Sequence, residues 1–223
     1  MSKHVNSVGL VVIWAMALLL APGVRAEQDV YQLVDSATLQ VMDVVAAAED
    51  YVDDDPERYY AQVQDILDPL IDYRGFARQV MGPYASSKRY RSLDEAGRQE
   101  LRGQLDRFTE VMRTSLVRTY SKGLLAFGDA RIELDDPDEP AEQASRISVR
   151  QLVYSDRATP YVVFYQMGQD KKTGDWRLRN VIIESVNLGE IYRDQFLASA
   201  REMDGDLDAV IEGWTTVEVD VDS

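Results

Sequence analysis

The chain contains no cysteine, and its only histidine is His4. Without cysteine there is no thiol nucleophile, no disulfide and no cysteine-ligated metal site. Beyond residue 4 there is also no imidazole to act as a general base or to bind zinc. A glycine-rich phosphate loop and a GxSxG nucleophile motif are missing as well. The sequence therefore carries no recognisable enzyme motif.

Long apolar runs are scarce, and the one at the amino terminus has the features of a secretory signal peptide. Lys3 precedes a nearly continuous apolar run from Val8 to Ala21, which Pro22-Gly23 ends shortly before the small residue Ala26. The run is too short to cross a bilayer core of roughly 30 Å comfortably. We therefore predict export and cleavage after Ala26. An uncleaved membrane anchor is the alternative, and no cysteine is available for lipid attachment.

Basic residues are outnumbered, with 24 Lys and Arg against 39 Asp and Glu. Removal of residues 1–26 takes away two basic residues and no acidic one, which changes the net charge from −15 to −17. A chain of this charge repels nucleic acid and anionic membranes. Because it has no disulfides, its core must stabilise it, and about 200 residues are enough for one compact domain. We predict a signal peptide over 1–26, one domain over 27–216 and an acidic tail over 217–223.

The first half of the chain has the apolar period of amphipathic helices. Apolar side chains recur every three or four residues, and Asp-Pro pairs or glycine separate the segments. The longest segment follows a capping box, Ser92-Leu93-Asp94-Glu95, and its length predicts a helix of roughly 40 Å. The predicted helices span Gln28 to Tyr51, Pro56 to Leu67, Asp72 to Met81, and the stretch from this capping box to Lys122.

After Gly123 the apolar period changes to two, which is typical of half-buried strands. Four strands at hairpin spacing predict an antiparallel sheet, near 131–134, 147–150, 161–167 and 176–183. Asn187 with Glu190 then indicates the N-cap of a helix, and a last short helix covers Leu207 to Trp214. The predicted fold class is α+β: a helical amino-terminal half whose long central helix packs, with the carboxyl-terminal helices, on one side of a twisted antiparallel four-stranded sheet.

Two acidic groups are the remaining candidates for chemistry. Asp53-Asp54-Asp55 lacks the glycine and the distant glutamate of a calcium loop, so it is interpreted as a solvated turn. Asp68 and Asp72 lie four residues apart across a proline and form the best available acid–base pair. The simpler explanation is that one of the two caps a helix and the other is a surface residue. We expect no catalytic residue and no metal site.

Four stretches carry a resemblance to a known family. They are "PLIDYRGFARQVMG", "LRGQLDRFTEVMRTSLVRTY", "WRLRNVIIESVNLGEIYRDQF" and "GDLDAVIEGW", and together they extend over most of the region from Val30 to Trp214. In order and spacing they resemble the MlaC family, also called toluene-tolerance auxiliary proteins, which are periplasmic phospholipid-binding components of a transport system. Apolar positions and a few polar ones define this pattern, and no catalytic signature contributes to it.

Individual positions match the family pattern or depart from it. The matches are Ile71-Asp72-Tyr73 for Ile-Asp-Phe, Met81-Gly82 for Leu-Gly, Phe108 and Tyr120 on the long helix, Trp176 at the start of the last strand, and Tyr192-Arg193 with Phe196 for Tyr-Arg-x-x-Phe. Asn180 stands in place of Asp, Ser185 in place of Gly, and Asn187 in place of Ser. Asn187 keeps an N-cap, whereas Ser185 would be strained if the turn needs a positive φ.

The resemblance implies a phospholipid carrier that needs no cofactor and whose ligand is the lipid. Its acyl chains would lie in an apolar cleft between the sheet and the long and carboxyl-terminal helices, and the head group would stay in water. Flexible methionines suit chains of variable length. The candidate cleft residues are Ile71, Phe76, Val80, Met81, Phe108, Met112, Leu116, Tyr120, Val163, Tyr165, Val181, Ile183, Tyr192 and Phe196.

The resemblance also implies a monomer with two protein partners, the outer-membrane MlaA complex with porin and the inner-membrane MlaFEDB transporter, contacted through MlaD. Two basic clusters are candidate docking surfaces, Lys88-Arg89-Tyr90-Arg91 and Lys171-Lys172, with ordinary solvated charge as the alternative. Two other classes stay open. One is a protein-binding adaptor with a filled core, and the other is an enzyme on a cone-shaped α+β fold in which a buried Asp and Tyr transfer a proton on an apolar substrate.

Overall fold

The computed structural model of the chain describes residues 30–135 and 144–215. The predicted signal peptide and acidic tail lie outside the described residues. No helix in these two ranges is long and apolar enough to cross a bilayer. In chain order the elements are α1 (Val30–Ala48), α2 (Pro56–Leu67), α3 (Tyr73–Met81), a 3-10 turn (Gly82–Ala85), α4 (Ser87–Ser92), α5 (Glu95–Leu125), β1 (Arg131–Leu134), β2 (Arg146–Tyr154), β3 (Tyr161–Gln169), β4 (Trp176–Ile183), β5 (Val186–Asn187), α6 (Leu188–Glu202) and α7 (Leu207–Glu212).

The long helix α5 does not begin at the predicted cap, Ser92. Asp94 is its N-cap, and the carboxylate of Asp94 accepts a hydrogen bond from the backbone N–H of Gly97 at 2.8 Å. Ser92 instead ends α4, a short helix that the sequence did not predict, and its hydroxyl donates to the carbonyl of Arg89. Aspartate competes well with serine as a capping residue. α5 then continues for 31 residues, which corresponds to about 46 Å at 1.5 Å per residue.

The sheet has five strands in the order β1-β2-β3-β4-β5, and each neighbouring pair is antiparallel. The predicted sheet of four strands therefore lacks β5, which pairs with Ile182 and Ile183 and leads directly into α6. Two residues are too few to produce a period-two pattern, so this strand has no signal in the sequence. A bulge between Gln166 and Met167 shifts the register of β3 against β4 and increases the local twist.

The apolar core of the described residues is divided into three clusters. The main cluster joins α3, much of α5, α6 and α7 around Phe108 and Trp214. The second cluster lies where α1 and α2 pack on the last part of α5, around Tyr59. The sheet cluster packs the start of α1 against β2, β3 and β4, around Val149 and Trp176. α5 therefore links the first two clusters, and α1 links the second cluster to the sheet cluster.

Gly82, which ends α3, occupies a backbone conformation that other residues rarely adopt. Its φ is +54°, and an added Cβ would lie 3.2 Å from Nε of Arg193 on α6. We expect Gly82→Ala to lower the free energy of unfolding by about 1–3 kcal/mol, measured by urea denaturation. Gly123→Ala is the matched control, because a Cβ there meets nothing within 4 Å and alanine favours the helix by about 0.5–1 kcal/mol. Equal effects of the two substitutions would contradict this account.

Candidate functional site

The acidic residues of the segment that joins α2 to α3 are paired with arginines. Both carboxylate oxygens of Asp68 accept hydrogen bonds from the guanidinium of Arg113 on α5, one of them from Nε at 2.9 Å. Asp72 caps α3 through the N–H of Gly75 and forms an ion pair with Arg179 on β4. Asp72 is thus a helix cap, as the simpler explanation has it. Asp68 is not a plain surface residue, because it is partly buried and paired with Arg113. Neither arrangement is that of an acid–base pair.

The backbone of the same segment joins the edge of the sheet. The backbone N–H of Leu178 donates to the carbonyl of Leu70 at 2.8 Å, and the N–H of Asp72 donates to the carbonyl of Leu178 at 3.0 Å. Ile71 between them forms a parallel bridge with Leu178. The segment therefore fastens the helical half of the protein to β4, and it brings Ile71 to the boundary between α3 and the sheet.

Seven of the fourteen candidate cleft residues are buried within the main cluster and pack against one another. The ring of Phe108 lies 5.0 Å from the ring of Phe196 and 5.0 Å from that of Trp214, and the ring of Phe76 lies 6.2 Å from that of Tyr192. Side chains that pack on one another in this way form part of the core of the described residues. These seven residues are Phe76, Val80, Met81, Phe108, Met112, Tyr192 and Phe196.

The other candidates lie on α5, on β3 and β4 of the sheet, and on the segment that precedes α3. Val181 and Ile183 on β4 are half-buried at the edge of the main cluster, as are Leu116 and Tyr120 on α5. Val163 pairs with Ile183, and Tyr165 pairs with Val181, so all four strand residues point to the same side of the sheet. These side chains, with Ile71, are the candidate lining of the cleft; Val163 is buried and the others are half-buried.

Hydroxyl and amide groups interrupt the apolar lining at two points. The hydroxyls of Tyr120 and Tyr192 form a hydrogen bond of 2.8 Å between α5 and α6. Tyr165 donates to the amide oxygen of Gln151, whose amide nitrogen donates to the hydroxyl of Thr38 on α1 at 2.9 Å. Burial raises the pKa of Tyr165 to about 12, so its hydroxyl stays neutral near pH 7.

Gln151 is a functional candidate that the sequence analysis missed. It is 3% exposed and pairs with Val163 in the neighbouring strand, so it lies on the helix-facing side of the sheet. The signal was present, because Gln151 is the polar member of an alternating series with Ile147, Val149 and Val153. A polar residue at an inward position of a strand predicts a specific hydrogen-bonding role.

A groove of about 360 Å³ lies between α1 and the α2–α3 segment, and it too was not predicted. This volume falls in the range of small-ligand pockets, roughly 300–1,000 Å³. In its wall, Leu33 also packs against the sheet cluster, and Ile66 packs against the second cluster. The groove therefore lies where these two clusters meet, next to the segment that carries Ile71. Its lining consists of Leu33, Ser36, Ala37, Gln40, Asp65, Ile66, Pro69 and Leu70.

The structure shows how the three residues that depart from the family pattern are accommodated. The amide of Asn180 donates to Gln166 and to Asn187, and its oxygen accepts from the N–H of Gly189 at 2.9 Å. Asn187 caps α6, as predicted. The expected strain at Ser185 is absent, because the positive φ of this turn falls on Glu184, at +56°.

Within the two described ranges, acidic side chains form no group that could hold a metal ion. The arrangement found here offers apolar surface and a few neutral hydrogen-bonding groups, and its charged pairs join one structural element to another. Such a site suits an apolar ligand with a small number of polar atoms.

Comparison with known proteins agrees with this interpretation. The sequence matches the profile of the MlaC protein over residues 35–216. A toluene tolerance protein of Pseudomonas putida, ttg2D, is 29% identical over 206 residues, which are 92% of this chain and 87% of that protein. The fold is similar to that of a phospholipid-binding protein from Ralstonia solanacearum, solved in complex with a phospholipid, with a TM-score of 0.67 and 16% identity over 82% of this chain and 93% of the other. The structural likeness shows a common fold, and the profile match extends over most of the sequence, from which we conclude that the chain belongs to the MlaC family.

Proposed function

We propose that the protein is a periplasmic carrier that moves phospholipids between the outer and inner membranes. In this proposal the acyl chains lie between α5 and the helix-facing side of the sheet, and the head group remains in water. The main support is the half-buried apolar lining on these two surfaces, contributed by Leu116 and Tyr120 on one side and by Val181 and Ile183 on the other. A related fold has been solved with a bound phospholipid.

The energetics of a free lipid explain why such a lining is needed. A diacyl lipid has roughly 30 chain methylenes, and each costs about 0.8 kcal/mol in water, which gives a total of order 20 kcal/mol. A carrier removes this cost by enclosing the chains, and it needs no reactive group to do so. The absence of a need for reactive groups agrees with the structural roles of Asp68, which is bonded to Arg113, and of Asp72, which caps α3.

Export is the part of the proposal that rests on the amino-terminal residues. The apolar run from Val8 to Ala21, followed by Pro22-Gly23 and Ala26, supports a cleaved signal peptide. A mature chain with a net charge of −17 would be repelled by anionic bilayers. Loading and unloading would then depend on docking to membrane-bound partners, which we propose are MlaA with porin and MlaFEDB through MlaD.

The two basic clusters differ in how freely they are presented to a partner. Lys171 and Lys172 are exposed in the turn between β3 and β4, where the carboxylate of Asp170 accepts from the N–H of Lys172. In the other cluster Arg89 lies 5.4 Å from the ring of Tyr84, and Tyr90 packs against the main cluster. Two of its four residues, Lys88 and Arg91, are exposed and available for docking.

Charge reversal of the exposed cations tests the docking proposal. We expect Lys171→Glu with Lys172→Glu, or Lys88→Glu with Arg91→Glu, to slow lipid exchange with the reconstituted inner-membrane transporter about tenfold at low salt, because such charges govern association rates. Lys122→Glu is the control, because it reverses the charge of another exposed lysine, near the end of α5. Rapid exchange of the wild-type protein with protein-free vesicles, unchanged by the transporter, would contradict docking.

Solvent extraction of the natively purified protein tests the function itself. We expect phospholipids with little head-group selectivity in the extract, because the binding energy lies in the chains. An empty extract would favour an adaptor with a filled core. An extract containing a small apolar metabolite that the protein converts would favour an enzyme.

A further inference from the structure

Tyr73, the first residue of α3, lies where the apolar face of this helix meets the sheet. It is 6% exposed and shares one helix face with Phe76, Ala77 and Val80, which are buried as well. The preceding residue, Asp72, is bonded to Leu178 on β4. Tyr73 is therefore the member of this apolar face that lies nearest the sheet edge.

The hydroxyl of Tyr73 is buried and has no hydrogen-bond partner among the described residues. Two carboxylates close to it in the chain are engaged elsewhere, since Asp68 is paired with Arg113, and Asp72 with Arg179 and the N–H of Gly75. Burial, reinforced by the nearby charge of Asp68, raises the pKa of Tyr73 above its ordinary value. The hydroxyl is thus a neutral donor throughout the physiological pH range.

A buried donor without an acceptor is unfavourable, because it has lost its water without replacing it. Most such groups in folded proteins are satisfied, and an exception calls for an explanation. At Tyr73 the exception lies two residues from Ile71, which belongs to the candidate cleft. A ligand that supplies the missing acceptor would explain both the burial and the unpaired hydroxyl.

We propose that the Tyr73 hydroxyl donates a hydrogen bond to an ester carbonyl oxygen of the bound phospholipid. This proposal rests on the proposed function. The ester is the neutral acceptor that a phospholipid carries at the start of its acyl chains. A phosphate is a poorer fit here, because the neighbouring cation, Arg113, is already shared between Asp68 and Glu110. Tyr73 would then fix how deeply the chains enter the cleft.

The test compares two lipids that differ in this acceptor alone. Lipid-free protein is titrated with dipalmitoyl phosphatidylglycerol and with its dihexadecyl ether analogue, which has the same head group and chain length but no carbonyl. We expect the wild-type protein to prefer the ester lipid about threefold to tenfold, the contribution of one neutral hydrogen bond. Tyr73→Phe should bind both lipids with the affinity that the wild type has for the ether.

Tyr59→Phe is the matched control, because the Tyr59 hydroxyl is buried in the second cluster and donates to the carbonyl of Ser121 at 2.8 Å. We expect this control to keep the ester preference and to lower the denaturation midpoint of the lipid-free protein. Tyr73→Phe should leave that midpoint unchanged or raise it, since no hydrogen bond is lost in the absence of lipid.

Two outcomes would overturn the proposal. Either the wild-type protein binds the ester and ether lipids equally, which can be measured without any substitution, or Tyr73→Phe weakens binding of both lipids by the same factor. If the wild-type protein binds neither lipid, the proposed function itself fails, and this result is distinct from the other two.

Discussion

Leu116→Glu is expected to remove bound phospholipid from the purified protein while leaving it folded. Leu116 lies on α5 at the edge of the main cluster and is half-buried, so a carboxylate there can reach water in the lipid-free state. With acyl chains in place the same carboxylate would be desolvated, and we expect lipid occupancy to fall about tenfold or more. Phosphorus analysis of the purified protein measures occupancy, and circular dichroism measures folding.

Leu39→Glu provides the comparison for this experiment. Leu39 lies on α1 and is 60% exposed, so the same change of side chain at this position should alter neither occupancy nor folding. Full lipid occupancy in Leu116→Glu would exclude this part of α5 from the cleft.

Phe108→Ala is expected to have the largest effect on stability. The Phe108 side chain is fully buried, and two aromatic rings, those of Phe196 and Trp214, lie 5.0 Å from its own. Its removal leaves a cavity at the centre of the main cluster, and we expect the free energy of unfolding to fall by about 3–5 kcal/mol. Urea denaturation of the lipid-free protein measures this change.

Phe164→Ala is the control for the cavity. Phe164 lies on β3 and points to the side of the sheet opposite to Val163 and Tyr165, is half-buried, and belongs to none of the three clusters. We expect a loss of about 1 kcal/mol there. A Phe108→Ala protein that keeps its stability but loses its lipid would place Phe108 in the cleft and not in the core.

The sequence predicted those parts of the fold that have a strong local signal. Asn187 caps α6 and Asp72 caps α3 as expected, because a capping side chain acts within a few residues of its own position. The cap at Asp55 was not predicted, since the acidic triplet was interpreted as a solvated turn. The strands of the predicted sheet were found from their alternation. β5 and α4 were missed, since two and six residues respectively are too short for either period to be recognised.

The division between core and cleft could not be predicted. Phe108 and Leu116 lie eight residues apart on the same stripe of α5, yet Phe108 is fully buried among helices and Leu116 is half-buried at the edge of the cluster. Helical period identifies the apolar face but not what covers each turn of it. The unpaired hydroxyl of Tyr73 was likewise beyond prediction, because a partner from another element is a property of the tertiary structure.

Photochemical cross-linking tests the central claim, that acyl chains lie between α5 and the helix-facing side of the sheet. The wild-type protein is loaded with phosphatidylglycerol that carries a diazirine in the middle of one acyl chain, irradiated, and digested for peptide mapping by mass spectrometry. We predict cross-links in α5 near Leu116 and Tyr120 and in β4 near Val181 and Ile183. Cross-links confined to Phe164 and its neighbours on the other side of the sheet would contradict the account.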